Sequence, residues 1–168
     1  MVIIGVDTAL RTTGYGIIRV AENGSLVALD CGLIRNKAKV PHSECMRCLA
    51  GGIRQLADMY KPQIAVIEGA FYCRNVRTAM VLGMARGAAI AELAAAKCTI
   101  YEYAPRKAKQ TVAGHGGATK EAVAKVVATT LKLDVTEIPD DATDAMALAM
   151  CHAILSRSAN GIYLPDPI

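Results

Sequence analysis

Residues 2–6, Val-Ile-Ile-Gly-Val, form a nearly unbroken apolar run, the pattern of a central strand buried on both faces. Residues 14–20 predict a second strand and residues 26–34 a third. Between them Asn23-Gly24-Ser25 is a strong hairpin signal, because Asn and Gly tolerate positive φ. Over residues 43–59 the apolar spacing turns helical, and Pro62 ends the run by restricting the residue before it. Residues 64–68 read as a fourth strand, 69–75 as a loop, 76–96 as a long helix and 98–103 as a fifth strand. A short helix over 105–112 follows, then the link Gly114-His115-Gly116-Gly117. Thr119 is positioned to cap a helix that runs to about residue 131. Pro139-Asp140-Asp141 opens a last helix to about residue 155. The order βββαβαβααα predicts an α/β fold: an antiparallel three-strand meander plus two parallel strands in one mixed five-stranded sheet, with helices on both faces. No repeat or linker divides the chain. We expect one domain over residues 1–157 and an irregular tail over 158–168.

A chain of 168 residues, 53% hydrophobic and 20% charged, is too apolar for disorder and long enough to bury a core without disulfides or zinc. The six cysteines therefore read as small buried hydrophobes in a reducing cytoplasm. Cys45-Met-Arg-Cys48 has no second ligand pair at zinc spacing, and its two thiols share one helix face. The N-terminus lacks a basic leader. The most apolar stretch, residues 78–96, is interrupted by Arg86 and Glu92, so no membrane span is expected.

Two acids stand at the ends of apolar strands: Asp7 after Ile3-Ile4-Gly5-Val6, and Glu68 after Ile64-Ala65-Val66-Ile67. A charge on a core strand costs several kcal/mol, of order, unless something compensates it. Each is either a satisfied structural acid or a functional one. Asp141 and Asp144, three residues apart, project from one side of the last helix. Acids in a first turn complement the helix dipole, which would explain one or two of Asp140, Asp141 and Asp144. It does not explain Asp144 set in the apolar run Ala145-Met146-Ala147-Leu148-Ala149-Met150. If the first and fourth strands are neighbours under that helix, four carboxylates converge and repel one another. Hard divalent cations relieve such a cluster, and a pair of them about 4 Å apart suits phosphodiester hydrolysis.

On these residues the chain resembles the RuvC family of Holliday junction resolvases, which have the ribonuclease H-like fold. The likeness rests on five segments in order. They are Gly5-Val-Asp7-Thr-Ala-Leu-Arg-Thr-Thr-Gly14-Tyr-Gly16, Ile67-Glu68-Gly-Ala-Phe71-Tyr-Cys-Arg-Asn75, Leu82-Gly-Met-Ala-Arg-Gly87, Tyr103-Ala-Pro-Arg-Lys-Ala-Lys109-Gln-Thr-Val-Ala-Gly114 and Asp141-Ala-Thr-Asp144-Ala. The resemblance implies that Asp7, Glu68, Asp141 and Asp144 are catalytic metal ligands for two Mg²⁺ ions, with Mn²⁺ able to substitute. It implies that Phe71 probes bases at the junction, and that Lys109 and Lys120 lie close to the scissile strand. It further implies a homodimer making paired symmetric nicks in a four-way DNA junction, in recombination and repair, beside a branch-migration motor. The chain has Thr8-Ala9 where the family usually has Pro-Gly. The Asp-x-x-Asp-Ala pattern favours Asp141 as ligand and leaves Asp140 as a cap.

The charge pattern agrees. The net charge of +4 is matched by the local excess between Lys97 and Lys125, six Lys or Arg against two acids, interleaved with Tyr101 and Tyr103. Cations there would replace condensed counterions on phosphates. Phe71, Tyr72, Arg74 and Arg77 stand just after the fourth strand, and an aromatic with Arg beside a phosphate-cutting site suits base stacking and backbone contact. The small residues of the 76–96 helix permit either close packing on its own sheet or a two-fold partner. Two rival readings remain: a related nuclease acting on RNA, and a non-catalytic junction-binding module, which loss of the acids would mark.

Overall fold

Gly24 takes a φ of 81° and reverses the chain between two long strands, as its Asn-Gly-Ser context predicts. The computed structural model describes residues 1–69, 75–158 and 164–168. Its elements are β1 (Val2–Asp7), β2 (Thr12–Val20), β3 (Leu26–Arg35), α1 (His42–Tyr60), β4 (Ile64–Glu68), α2 (Val76–Ala95), β5 (Thr99–Tyr103), α3 (Pro105–Ala113), α4 (Lys120–Leu131) and α5 (Asp140–Arg157). A single 3₁₀ turn, Val135–Glu137, precedes α5. It is absent from the periodicity reading because three residues are too few to show a period.

The sheet has the order β3-β2-β1-β4-β5. β1 is antiparallel to β2, β2 antiparallel to β3, and β4 runs parallel to both β1 and β5. The mixed five-stranded sheet is therefore present as expected. Pleating sends successive side chains to opposite faces. Ile4, Val6, Ile17, Ala65 and Ile67 pack on α1 and α2, whereas Ile3, Ile18 and Val66 pack against α3, α4 and α5.

Local signals end the helices where the sequence implies. Lys61 adopts the left-handed conformation and its N–H closes on Ala57 O, after which Pro62 prevents continuation. The Thr119 side chain accepts from Ala122 N at 3.2 Å. The expected cap at Asp140 is not found. Pro139 holds that position, no side chain caps the helix, and Asp140 is its first residue. Proline suits this entry because its fixed φ starts a helix and it carries no N–H.

α2 also departs from expectation. By length and mean hydropathy (1.3) it is long and apolar enough to cross a membrane. Of its three charges Arg77 is exposed in the first turn, and the other two are tied to neighbouring elements: Glu92 pairs with Arg54 of α1 at 2.7 Å, and Arg86 pairs with Glu102 of β5. Among the described residues Cys45, Cys98 and Cys151 are buried and Cys31 and Cys48 partly so, all as free thiols.

Candidate active site

The pleat and the β1–β4 register together put Asp7 and Glu68 on one face. Asp7 shares its parity with Ile3 and Gly5, and Glu68 shares its parity with Val66, so both carboxylates point toward α5. β1 and β4 are parallel with Val6 opposite Ile67, which brings the two acids to the same end of adjacent strands.

α5 completes the site by lying directly on the sheet. Gly5 is opposite Gly16, and Asp7 is opposite Gly14, across the β1–β2 ladder. A Cβ on Gly5 would fall 1.9 Å from Ala145 O, and one on Gly14 would fall 2.0 Å from Asp141 O. At Gly16 the obstruction is Met146. These three positions form a smooth floor on which helix backbone touches strand backbone. The carbonyls that rest there belong to Asp141 and to Ala145, the neighbour of Asp144. Almost all of α5 after its first turn is buried, since α3 and α4 cover its outer side. Asp144 belongs to this helix because its side chain reaches the site at the edge of the buried stretch.

The electrostatics show the crowding. Burial, followed by the charges of Glu68, Asp144 and Asp141, pushes the Asp7 pKa from 3.8 up to about 7, while Lys120 pulls it down. Glu68 is also raised, by burial and then by Asp144, against the pull of Lys120, Arg86 and Lys109. Asp7, Glu68, Asp144, Lys109 and Lys120 line one cavity of about 220 Å³. Lys120 Nζ donates to Asp144 Oδ2 at 2.8 Å, and that contact raises its own pKa. Among the described residues no three His, Cys, Asp or Glu side chains are arranged as a ready metal-binding group. The donor set nevertheless suits a hard divalent cation: carboxylates from three elements, β1, β4 and α5, net negative, with the Lys120 ammonium drawn onto one of them.

Asp141 is not among the residues lining this cavity but acts on Asp7 through its charge. Asp140 faces a neighbouring cavity with Lys125 and Glu121. The two adjacent aspartates, open from sequence, are thus separated: Asp141 bears on Asp7, and Asp140 does not. Arg77 is exposed in the first turn of α2, outside the cavity lining. Phe71, Tyr72 and Arg74 lie outside the described residues. His152 is buried, with Nδ1 3.0 Å from the Tyr103 hydroxyl, and His115 is exposed in the glycine link.

One contact went unread in the sequence. Arg86 of α2 donates to the backbone carbonyl of Glu68 and pairs with Glu102. The available signal was an arginine interrupting an apolar helix, with nothing to identify its partners.

Comparison with known proteins bears on the same residues. A family model described as crossover junction endodeoxyribonuclease RuvC matches residues 3–152. The chain belongs to the RuvC family. A crossover junction endodeoxyribonuclease RuvC of Chloroflexus aurantiacus is 41% identical over 150 residues, covering 89% of this chain and 91% of that protein. The structure of Thermus thermophilus RuvC superposes with a TM-score of 0.88 at 28% identity, each chain covered completely. T. thermophilus RuvC in complex with a Holliday junction substrate shares the fold, with a TM-score of 0.87 at 24% identity and complete coverage of both chains. Membership of the RuvC family makes this chain a crossover junction endodeoxyribonuclease, and the ribonuclease H-like sheet expected from sequence is the RuvC fold.

Proposed function

We propose that this chain resolves four-way (Holliday) DNA junctions by hydrolysing phosphodiesters at Asp7, Glu68, Asp141 and Asp144, within a nuclease domain spanning residues 1–157. The observation that carries the reading is the raised pKa of Asp7 and Glu68, under the charges of the neighbouring acids, in a cavity that Asp7, Glu68 and Asp144 share with Lys109 and Lys120. A structural cluster of acids would be neutralised by fixed partners. Here one lysine contacts one acid, and the cavity stays open to a ligand.

Asp7, Glu68, Asp141 and Asp144 would hold Mg²⁺, two ions per site, with Mn²⁺ as a substitute. Bound there, the ions would supply charge neutralisation for the attacking water and the leaving oxygen. Asp7 and Glu68, fixed at adjacent strand ends, orient the site. α5 presents Asp141 and Asp144 from above. Lys109 and Lys120, the latter paired with Asp144, would bind the phosphates of the scissile strand. Phe71, Tyr72, Arg74 and Arg77 would engage bases and backbone beyond it, by their place in the sequence after β4.

Two nicks require two sites. The outer side of α2 exposes Val76, Met80 and Met84, at 71%, 64% and 46%, and no described residue lies within 4 Å of where a Cβ would stand on Gly83 or Gly87. An apolar helix face with open glycines suits a second copy of the chain, so we propose a homodimer through α2. By family analogy it would act in recombination and repair in the cytoplasm, beside a branch-migration motor.

The test is incubation with a synthetic four-way junction, a plain duplex and an RNA–DNA hybrid, with and without Mg²⁺. Paired nicks in the junction alone, dependent on Mg²⁺, are expected. Preferential cutting of the hybrid would favour an RNA-directed nuclease, and tight junction binding with no cutting would favour a binding module.

A further inference from the structure

We propose that Arg86 and Glu102 are positioning residues for Glu68, fixing the end of β4 from the face opposite the active site so that its carboxylate stays aimed at the cation site. This rests on the proposed role of Glu68 as a ligand.

The topology of β4 makes the need clear. Its ladder with β1 stops at Val6 and Ile67, so Glu68 has a strand partner only on the β5 side, at Tyr103. The next N–H, on Gly69, donates to Tyr103 O at 2.9 Å. The Glu68 carbonyl, facing where β1 pairing has ended, takes its donor from a side chain: Arg86 Nη1. A strand end supported on one side only would swing its last side chain, and Glu68 is that side chain.

The pleat explains how one arginine can do this without entering the site. Glu102 is opposite Ile67 and shares its face with Ile100, both packed in the α1–α2 layer. Glu102 therefore points toward α2, from which Arg86 reaches across. The Glu68 side chain points the other way, toward α5. The guanidinium forks: Nη1 goes to the Glu68 carbonyl and Nη2 to Glu102 Oε1. Its rigid planar fork holds both acceptors at a fixed relative orientation, which the compact, freely rotating ammonium of a lysine does not impose. The Arg86 side chain is 17% exposed, and a guanidinium that enclosed is held by its partners rather than by water. Glu102 in turn fixes the fork, so that each of the pair depends on the other.

The arrangement separates two effects of opposite sign. Removing Arg86 removes a positive charge close to a cation site, which by Coulomb's law alone tightens cation binding. Removing it also frees the β4 end, which weakens cation binding by disordering a ligand. If Arg86 positions Glu68, the second effect dominates.

The experiment uses the full chain and its variants Arg86→Gln, Arg86→Lys and Glu102→Gln. Mn²⁺ binding without DNA is measured by electron paramagnetic resonance. Alongside it are measured junction affinity in Ca²⁺, the single-turnover cleavage rate at saturating junction, and thermal unfolding. Arg86→Gln and Glu102→Gln are expected to weaken Mn²⁺ binding and slow cleavage by about tenfold or more, in line with losses at outer-shell residues of metal sites. Junction affinity should stay within about threefold, because it rests on phosphate contacts elsewhere. Arg86→Lys should recover thermal stability yet not Mn²⁺ affinity. Tighter Mn²⁺ binding in Arg86→Gln would overturn the proposal in favour of a pure charge effect. Unchanged Mn²⁺ binding and cleavage in folded Glu102→Gln would overturn it in favour of a packing role. If Arg86→Gln does not fold, Glu102→Gln and Arg86→Lys decide alone. Failure of the proposed function is distinguishable: wild-type Mn²⁺ binding that Asp7→Asn abolishes, in a chain that cuts no junction, would break the substrate reading and leave the effect on Mn²⁺ to decide this one.

Discussion

Substituting Gly5 by Ala should separate the acids of the site without touching any of them. The added methyl would sit 1.9 Å from Ala145 O and 3.0 Å from Ala149 N, both backbone atoms of α5. Ordinary contact begins at 3.4 Å, so the gap must open by about 3.4 − 1.9 = 1.5 Å. The sheet cannot recede, because Ile4 and Val6 on either side of Gly5 are fully buried against the α1–α2 layer. The helix must lift. Its contact point is the residue next to Asp144, so Asp144 moves away from Asp7 and Glu68. Overpacking of this kind costs about 1–3 kcal/mol or more. A displacement near 1 Å at a reacting centre can cost on the order of 100-fold in rate. The assay pairs urea unfolding with single-turnover cleavage of a four-way junction in Mg²⁺. We expect a lower unfolding midpoint, junction binding within about tenfold, and cleavage down by roughly 100-fold. Gly51→Ala on α1 is the control. No described residue lies within 4 Å of its would-be Cβ, and it should gain about 0.5–1 kcal/mol from helix propensity with no change in cleavage. If Gly5→Ala cuts within threefold of wild type, flush seating of α5 is not what assembles the site.

Asp7→Asn and Glu68→Gln should each abolish cutting in Mg²⁺ while junction binding by gel shift stays within about tenfold, since binding rests mainly on phosphates; robust cleavage by either variant removes that acid from the mechanism. Buried His152, whose pKa falls from 6.5 to about 4 because burial disfavours its charged form, should make stability depend on acid. Between those values the unfolded chain binds the extra proton, so stability is full above about pH 6.5 and is lost as pH falls toward 4, by about 3 kcal/mol in all. Asp7, raised toward 7, runs the other way, so the His152 contribution is read as the difference between wild type and His152→Gln in urea melts from pH 7 to 4. A constant difference would contradict it. Met80→Glu, on the exposed side of α2, should convert a sedimenting dimer to monomer and abolish paired nicking without lowering the unfolding midpoint; an unchanged dimer would move the interface elsewhere.

The elements were legible in the sequence because each rests on local physics. The apolar run of residues 2–6, the turn at Gly24, the helical spacing over residues 43–59 and the cap at Thr119 depend on neighbours within a few positions, and all are found, the helix one residue longer at each end. The four acids were legible for a related reason: a charge at the end of an apolar strand, or inside an apolar helix, stands out against its surroundings. Their cation-binding role followed from that pattern and the junction substrate from family likeness; Phe71, Tyr72 and Arg74 lie outside the described residues, and their reading rests on the likeness at Phe71 and on their position after β4.

The tertiary structure decided what depends on register and crossing between distant segments. Asp7 and Glu68 share a face because β1 and β4 pair with Val6 opposite Ile67, and nothing within either strand encodes that offset. Asp141 rather than Asp140 acts on Asp7 because glycines at 5, 14 and 16 let α5 rest on the sheet at one rotation. Lys120 meets Asp144 across 24 positions, and Arg86 meets the carbonyl of Glu68 across 18. A side chain's periodicity records which face it occupies, whereas its partner is set by how whole elements stack, and that information is spread over the entire core.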